Sequence, residues 1–240
     1  MKTKKWVFFF LLIFLSGFLS AGLAEKADNK QNRKVKDFDV VNVSAGIELI
    51  LTMGDRESVR IEADESIIDE IITEVKGNTL HIYRKSGNWF NIFNWRRQKS
   101  VKAYVTAINL RGIDASSGSD VKSENMLEGD RLDVRASSGS SVILNIVYKD
   151  VVLGCSSGAD IRMSGKAKTV EADASSGADI NARALEAVIC RASASSGADI
   201  AVYATGEIHA KASSGADIRY YGNPEIKNIE ESSGGDVTQR

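Results

Sequence analysis

The chain has 240 residues, 43% hydrophobic and 26% charged, a balance that excludes disorder and allows a sizeable core. Lys plus Arg number 31 against 32 acids, and without Lys2, Lys4 and Lys5 of the leader the acids prevail. A nucleic-acid binder carries a basic excess, so no nucleic-acid partner is expected.

Lys2, Lys4 and Lys5 make a positive start, Val7 to Leu15 is an unbroken apolar run, and Gly22-Leu23-Ala24 offers a signal-peptidase site before Glu25. Residues 1–24 therefore read as a signal peptide. The run falls short of the roughly 20 residues that span a bilayer, so export with no stable membrane span after signal removal is expected.

Residues 25–115 read as strands, a short helix and an aromatic loop that together cap a C-terminal stack of coils. Asp37 to Thr52 alternates as one strand or two, and Ser58 to Ala63 as another. Ile67, Ile68, Ile71 and Ile72 fall at helical spacing behind Asp64 or Ser66 as N-cap, which predicts a short helix over 65–75. Lys76-Gly77-Asn78 is a turn and Thr79 to Arg84 a further strand. Then come Trp89, Phe90, Phe93 and Trp95, interleaved with polar residues and followed by Arg96 and Arg97. Two readings stand: a lid over the end of the coils, or an exposed loop in which these six residues bind glycan, membrane or another subunit.

From residue 116 to 240 the motif Ser-Ser-Gly-x-Asp/Ser-Ile/Val occurs seven times, beginning at Ser116, Ser137, Ser156, Ser175, Ser195, Ser213 and Ser232, with a mean spacing near 19 residues. Ser44-Ala45-Gly46 is a degenerate eighth copy. Before each motif, residues alternate strictly: Val170, Ala172 and Ala174 are apolar or small, while Glu171 and Asp173 between them are charged. Each unit thus holds a strand with one buried face, and units this short satisfy their backbone only by pairing with the units above and below. The expected fold is all-β: a single-stranded parallel β-helix of about seven to eight coils, preceded by a small irregular α+β segment. The motif glycine is expected at φ > 0 in a corner, with its serines bonding turn backbone or their counterparts one coil away. Cys155 and Cys190 point inward two coils apart, too far for a disulfide. The chain stops soon after the last motif, which suggests an uncapped end and a homo-oligomer or partner there.

Asp160, Asp179, Asp199, Asp217 and Asp236 share one position in successive units. Stacked about 4.8 Å apart, neighbouring carboxylates repel by about 0.9 kcal/mol in water and up to about 3.5 kcal/mol at an effective dielectric of 20. The favoured explanation is that each carboxylate accepts backbone N–H bonds in its own turn, with no cofactor; the rival is calcium held between turns. The two histidines, His81 and His209, lie in strand positions, and no triad, zinc or phosphate-loop spacing appears, so no catalytic residues are assigned.

Gly46-Ile47-Glu48-Leu49, then Gly77-Asn78-Thr79-Leu80-His81-Ile82, then serial Ser-Ser-Gly-x-Asp-Ile units resemble the exported "putative auto-transporter adhesin, head GIN domain" family common in Bacteroides-type bacteria. The resemblance runs from about residue 36 to the end; the aromatic insert departs from it. It implies a right-handed β-helix in the periplasm or on the surface of a Gram-negative cell, and brings no catalytic residues. The leading expectation is a non-enzymatic binding or structural protein contacting a glycan or an envelope or surface protein. The alternatives are a carbohydrate-active β-helix enzyme (a polysaccharide lyase or hydrolase) and a calcium-stabilised spacer.

Overall fold

The computed structural model describes residues 29–85 and 100–240. The leader and the stretch holding Trp89, Phe90, Phe93, Trp95, Arg96 and Arg97 lie outside the described residues. The strands are β1 (Asn29–Arg33), β2 (Val40–Val43), β3 (Glu48–Met53), β4 (Ser58–Ala63), β5 (Ile71–Lys76), β6 (Thr79–Arg84), β7 (Val101–Ala107), β8 (Gly112–Ala115) and β9 (Asp120–Ser123). Then come β10 (Leu127–Ala136), β11 (Ser141–Cys155), β12 (Asp160–Ala174), β13 (Asp179–Ala194), β14 (Asp199–Ser213), β15 (Asp217–Tyr221), β16 (Ile226–Ser232) and β17 (Asp236–Gln239).

All of them join one sheet wound into a parallel β-solenoid of about seven turns. From β10 to β15 each strand pairs in parallel with its successor, so one repeat makes one coil. Sequence order and stacking order part company at the N-terminal end. The degenerate copy is a coil: β2 and β3 stack in parallel beneath β8 and β9, although β4 to β7 intervene in the chain. Those intervening strands build the layers below. β6 lies under β2 and β7 under β3, both parallel, while β5 and β4 continue these two sides in antiparallel pairing and β1 follows β4.

Alternation places the core inside the coils. Leu49, Val121, Val142, Ile161, Ile180, Ile200 and Ile218 form one inward file in register, each at most 2% exposed. Alternation slips within the long strands, where consecutive residues turn away from the core, as at Lys149–Asp150, Lys168–Thr169 and Arg183–Ala184. Cys155 and Cys190 are buried, unpaired and in different files. Burial pushes both thiols up to about 12, so neither is a nucleophile at neutral pH.

The expected helix over 65–75 is not formed. The Asp64 carboxylate accepts the Ser66 N–H and hydroxyl, and the Asp64 carbonyl accepts the N–H groups of Ile67 and Ile68. That holds one 3-10 turn, Ile68–Glu70, which buries Ile68. The chain then extends, because β-branched Ile71, Ile72 and Thr73 favour a strand and β6 offers an antiparallel partner through the Gly77-Asn78 turn, with Gly77 at φ 63°.

The coil formed by β16 and β17 is the most exposed of the stack, β16 along its whole length. Lys227, Glu231 and Gln239 occupy the positions that Ile208, Ala212 and Tyr220 hold one coil below. Lys227 Nζ and Tyr220 Oη both donate to Gln239 Oε1, Gln239 Nε2 donates to the Gly222 carbonyl, and Glu231 accepts the Val237 N–H. Three inward positions are thus polar, while Ile229 and Val237 continue the Ala210 and Ile218 files, with Ile229 38% exposed.

This packing has measurable consequences at the core and at the end of the stack. Ile180→Ala should lower stability by about 2–5 kcal/mol in chemical denaturation, because the file cannot collapse around the cavity, and Ile180→Asp should prevent folding. Replacing Lys227, Glu231 and Gln239 by Ile, Ala and Tyr should shift the chain to larger species in size-exclusion chromatography; an unchanged elution volume would show that these polar groups do not limit self-association.

Candidate functional site

The corner is where the repeat is most constant, and its geometry explains the motif. The second serine and the glycine both take positive φ: Ser157 is at 55° and Gly158 at 67°, and the other six motifs match within a few degrees. In six of the seven, the residue after the glycine donates its N–H to the carbonyl of the first serine, as Ala159 does to Ser156 at 3.2 Å. Two positive φ values closed by that bond make a type I′ turn. Coils are then tied corner to corner, since each glycine N–H donates to the second serine's carbonyl one coil on, from Gly118 to Ser138 through Gly215 to Ser233.

The side chains do not do what the sequence suggests. Only the x-position serines bond inward: Ser119 Oγ donates to the carbonyls of Val43 and Ser116, and Ser140 Oγ to that of Ala115. The hydroxyls of the first and second motif serines have no hydrogen-bond partner among the described residues. The second serines, Ser117, Ser138, Ser157, Ser176, Ser196, Ser214 and Ser233, are all exposed, so the corner edge is a comb of hydroxyls one coil apart. Left-handed backbone costs a residue bearing a Cβ about 1–2 kcal/mol. In the degenerate coil Ala45 fills the same place at φ 66°, so the corner forms without the hydroxyl.

Beside the comb the aspartates stand in register as expected, Asp160 to Asp179 to Asp199 to Asp217 to Asp236. Among the described residues no carboxylate of the file accepts a backbone N–H, which corrects the Asx-turn expectation. Arg219 bridges two coils, with Nη1 3.2 Å from Asp199 and Nη2 3.2 Å from Asp217, and Asp236 accepts the Thr238 hydroxyl. Burial, followed by repulsion from Asp160 and Asp199, holds the Asp179 carboxyl above the ordinary aspartate range. Beyond Ser141 and Asp120 the same position holds Glu48; its hydrogen bond to Lys122 leads the causes that hold it below its ordinary value, and Lys102 adds to them. Among the described residues no group of three or more His, Cys, Asp or Glu is arranged to hold a metal. Calcium takes six to eight oxygens, whereas this file presents one carboxylate per coil.

On the other side of the corner a polar trough follows the stacking axis. Two hollows of about 410 and 290 Å³ share Asp173. Their outward residues form two files, Asp133-Val152-Glu171-Arg191-His209-Asn228 and Arg135-Gly154-Asp173-Ser193-Lys211-Glu230. Burial and then the neighbouring Glu171 raise the Asp173 carboxyl above its ordinary range. Sequence reading marks these residues only as outward positions; which of them meet across coils depends on register. His209 contacts Glu207 here, and His81 lies beside Asn42 on the neighbouring coil. The aromatic stretch joins β6 to β7, the strands beneath the Ser44–Gly46 corner.

Residues 37–224 match the family described as "Putative auto-transporter adhesin, head GIN domain", and the chain belongs to it. Its structure is similar to that of a "putative adhesin" from Bacteroides fragilis, at 23% identity and a TM-score of 0.82, covering 90% of this chain and 98% of the other. A "putative lipid binding protein" from Parabacteroides distasonis is similar at 19% identity and a TM-score of 0.69, covering 90% and 98%. A "putative adhesin" from Parabacteroides merdae matches at 14% identity and a TM-score of 0.69, covering 90% and 97%. These likenesses carry the fold. No curated protein matches the chain.

The raised Asp179 carboxyl means that the folded state holds this proton more tightly than the unfolded chain does. Its contribution to stability is therefore greatest in acid and is lost as pH rises through the raised pKa. Asp179→Asn should raise Tm at pH 7 and flatten the stability profile just above the ordinary aspartate range. An unaltered profile would show that burial and stacking do not raise the Asp179 carboxyl.

Proposed function

We propose that this head GIN domain protein is exported and works without catalysis, as an adhesin-like binding protein at the envelope or surface of a Gram-negative bacterium. Its ligand is a glycan or an envelope or surface protein, met along the corner edge. The family description and the described adhesins of the same fold support the class. One observation carries the site: seven successive units keep a serine in left-handed backbone, and its exposed hydroxyl bonds nothing among the described residues. Glycine would fit there more easily, and Ala45 shows that the turn closes without the oxygen. A costly residue present in all seven motif units supports a partner outside the chain.

The lipid-binding description of one similar structure finds less support here. The exposed large aliphatics nearest the middle of the stack, Ile143, Val147 and Val188, fall in different files and do not make one apolar surface. Among the described residues no helix is long and apolar enough to cross a membrane. In this reading the aromatic stretch from Trp89 to Arg97 is a second contact segment, on the strength of its Trp and Arg content.

The test replaces Ser157, Ser176, Ser196 and Ser214 with Gly and measures adhesion of the purified chain to isolated bacterial envelopes and to immobilised polysaccharides. Each change should keep or raise Tm, because glycine takes positive φ without strain, while adhesion falls severalfold. Deleting 88–95 in the same assay tests the aromatic stretch. Undiminished adhesion of the four-glycine variant would overturn the role of the corner edge.

A further inference from the structure

We infer that the trough beside the corner edge binds a neutral, linear oligosaccharide laid along the stacking axis; this rests on the binding reading above and gives it a ligand class. The trough combines space with groups that lack partners. Arg135 is tied to Asp133, Lys211 to Glu230 and His209 to Glu207. Glu171, Asp173 and Arg191, at the centre, have no hydrogen-bond or ion-pair partner among the described residues. Glu171 and Arg191 are register partners on adjacent coils, and Asp173 is the residue the two hollows share.

The chemistry of these groups selects the occupant. Two carboxylates on one face of a strand accept hydrogen bonds from adjacent hydroxyls, and a guanidinium one coil away donates a fork of them. The partnerless groups are two acids and one base, so a polyanion is disfavoured. Val152 is the only outward aliphatic of the two files, so an acyl chain or an apolar helix has little to bury against. Gly154 leaves the floor clear, and the corner residues Ser137 and Ser156 border the larger hollow. Equivalent positions recur about every 4.8 Å along the trough, a spacing that a chain of like units can follow from coil to coil.

The experiment titrates the full chain calorimetrically with neutral glucan, mannan and xylan oligosaccharides, with polygalacturonate as the acidic comparator, and measures adhesion to isolated envelopes in parallel. The variants are Arg191→Gln, the pair Glu171→Gln with Asp173→Asn, and Lys166→Gln as a control on another side of the coil. At least one neutral series should bind. Binding should weaken about tenfold or more in the trough variants, as loss of a charged hydrogen-bonding partner implies, with Tm and the control unchanged. Absence of neutral-oligosaccharide binding, binding indifferent to all three trough substitutions, or preference for polygalacturonate would each overturn the inference. If envelope adhesion persists in those cases, the binding reading stands with a different ligand; if adhesion is absent too, both fall.

Discussion

Parallel main-chain pairing between consecutive coils is the constraint on which the rest of this molecule depends. A repeat of about nineteen residues has too little surface to bury a core of its own. Its strand amides are satisfied by the coil above and the coil below, as the continuous parallel pairing from β10 to β15 shows. Pairing in register copies every side chain into a file. An inward position becomes a column of Val and Ile, and an outward one becomes a column of whatever the repeat encodes, whether or not like neighbours favour it. The aspartate file is that second case: stacking brings the carboxylates together, and Arg219 offsets the repulsion between Asp199 and Asp217.

The same constraint decides how the stack may end. A coil without a neighbour exposes the ends of its inward files and its strand edges. At the lower end the chain doubles back, so that β4, β5 and β1 pair antiparallel, and the turn at Ile68 buries that side chain. At the upper end Lys227, Glu231 and Gln239 take the places of Ile208, Ala212 and Tyr220, with Lys227 bonded to Gln239, while Ile229 and Val237 stay apolar. Charged residues on an edge strand also discourage pairing with foreign strands.

Much of this was legible in the sequence, because period and alternation are local signals that survive without coordinates. The coil, the inward files, the separation of the two cysteines and the register of the aspartates all come from counting. Three features did not. Ile67 to Ile72 fits helical spacing, but a neighbouring strand edge and the Asp64 turn decide for extension, and neither is visible in spacing alone. The left-handed serine is hidden because the motif glycine by itself accounts for a turn; only the φ of Ser157 and its companions shows that both residues turn. The trough was hidden because Glu171 and Arg191 are twenty positions apart in the chain and adjacent only after stacking. Lys227, Glu231 and Gln239 were readable in principle, since extending the inward count one more coil lands on them.

Corner hydroxyls and trough charges lie on surfaces that the fold repeats but does not need, and there a rigid prism acquires its function. The most direct test of the stacking itself is cross-linking by paired cysteines. Asp160→Cys with Asp179→Cys places two thiols one coil apart, about 4.8 Å between Cα atoms and within disulfide range, whereas Asp160→Cys with Asp199→Cys places them about 10 Å apart. Mild oxidation should close the first pair within the folded monomer and leave the second open. Efficient closure of the second pair, or failure of the first, would contradict coils stacked in this register.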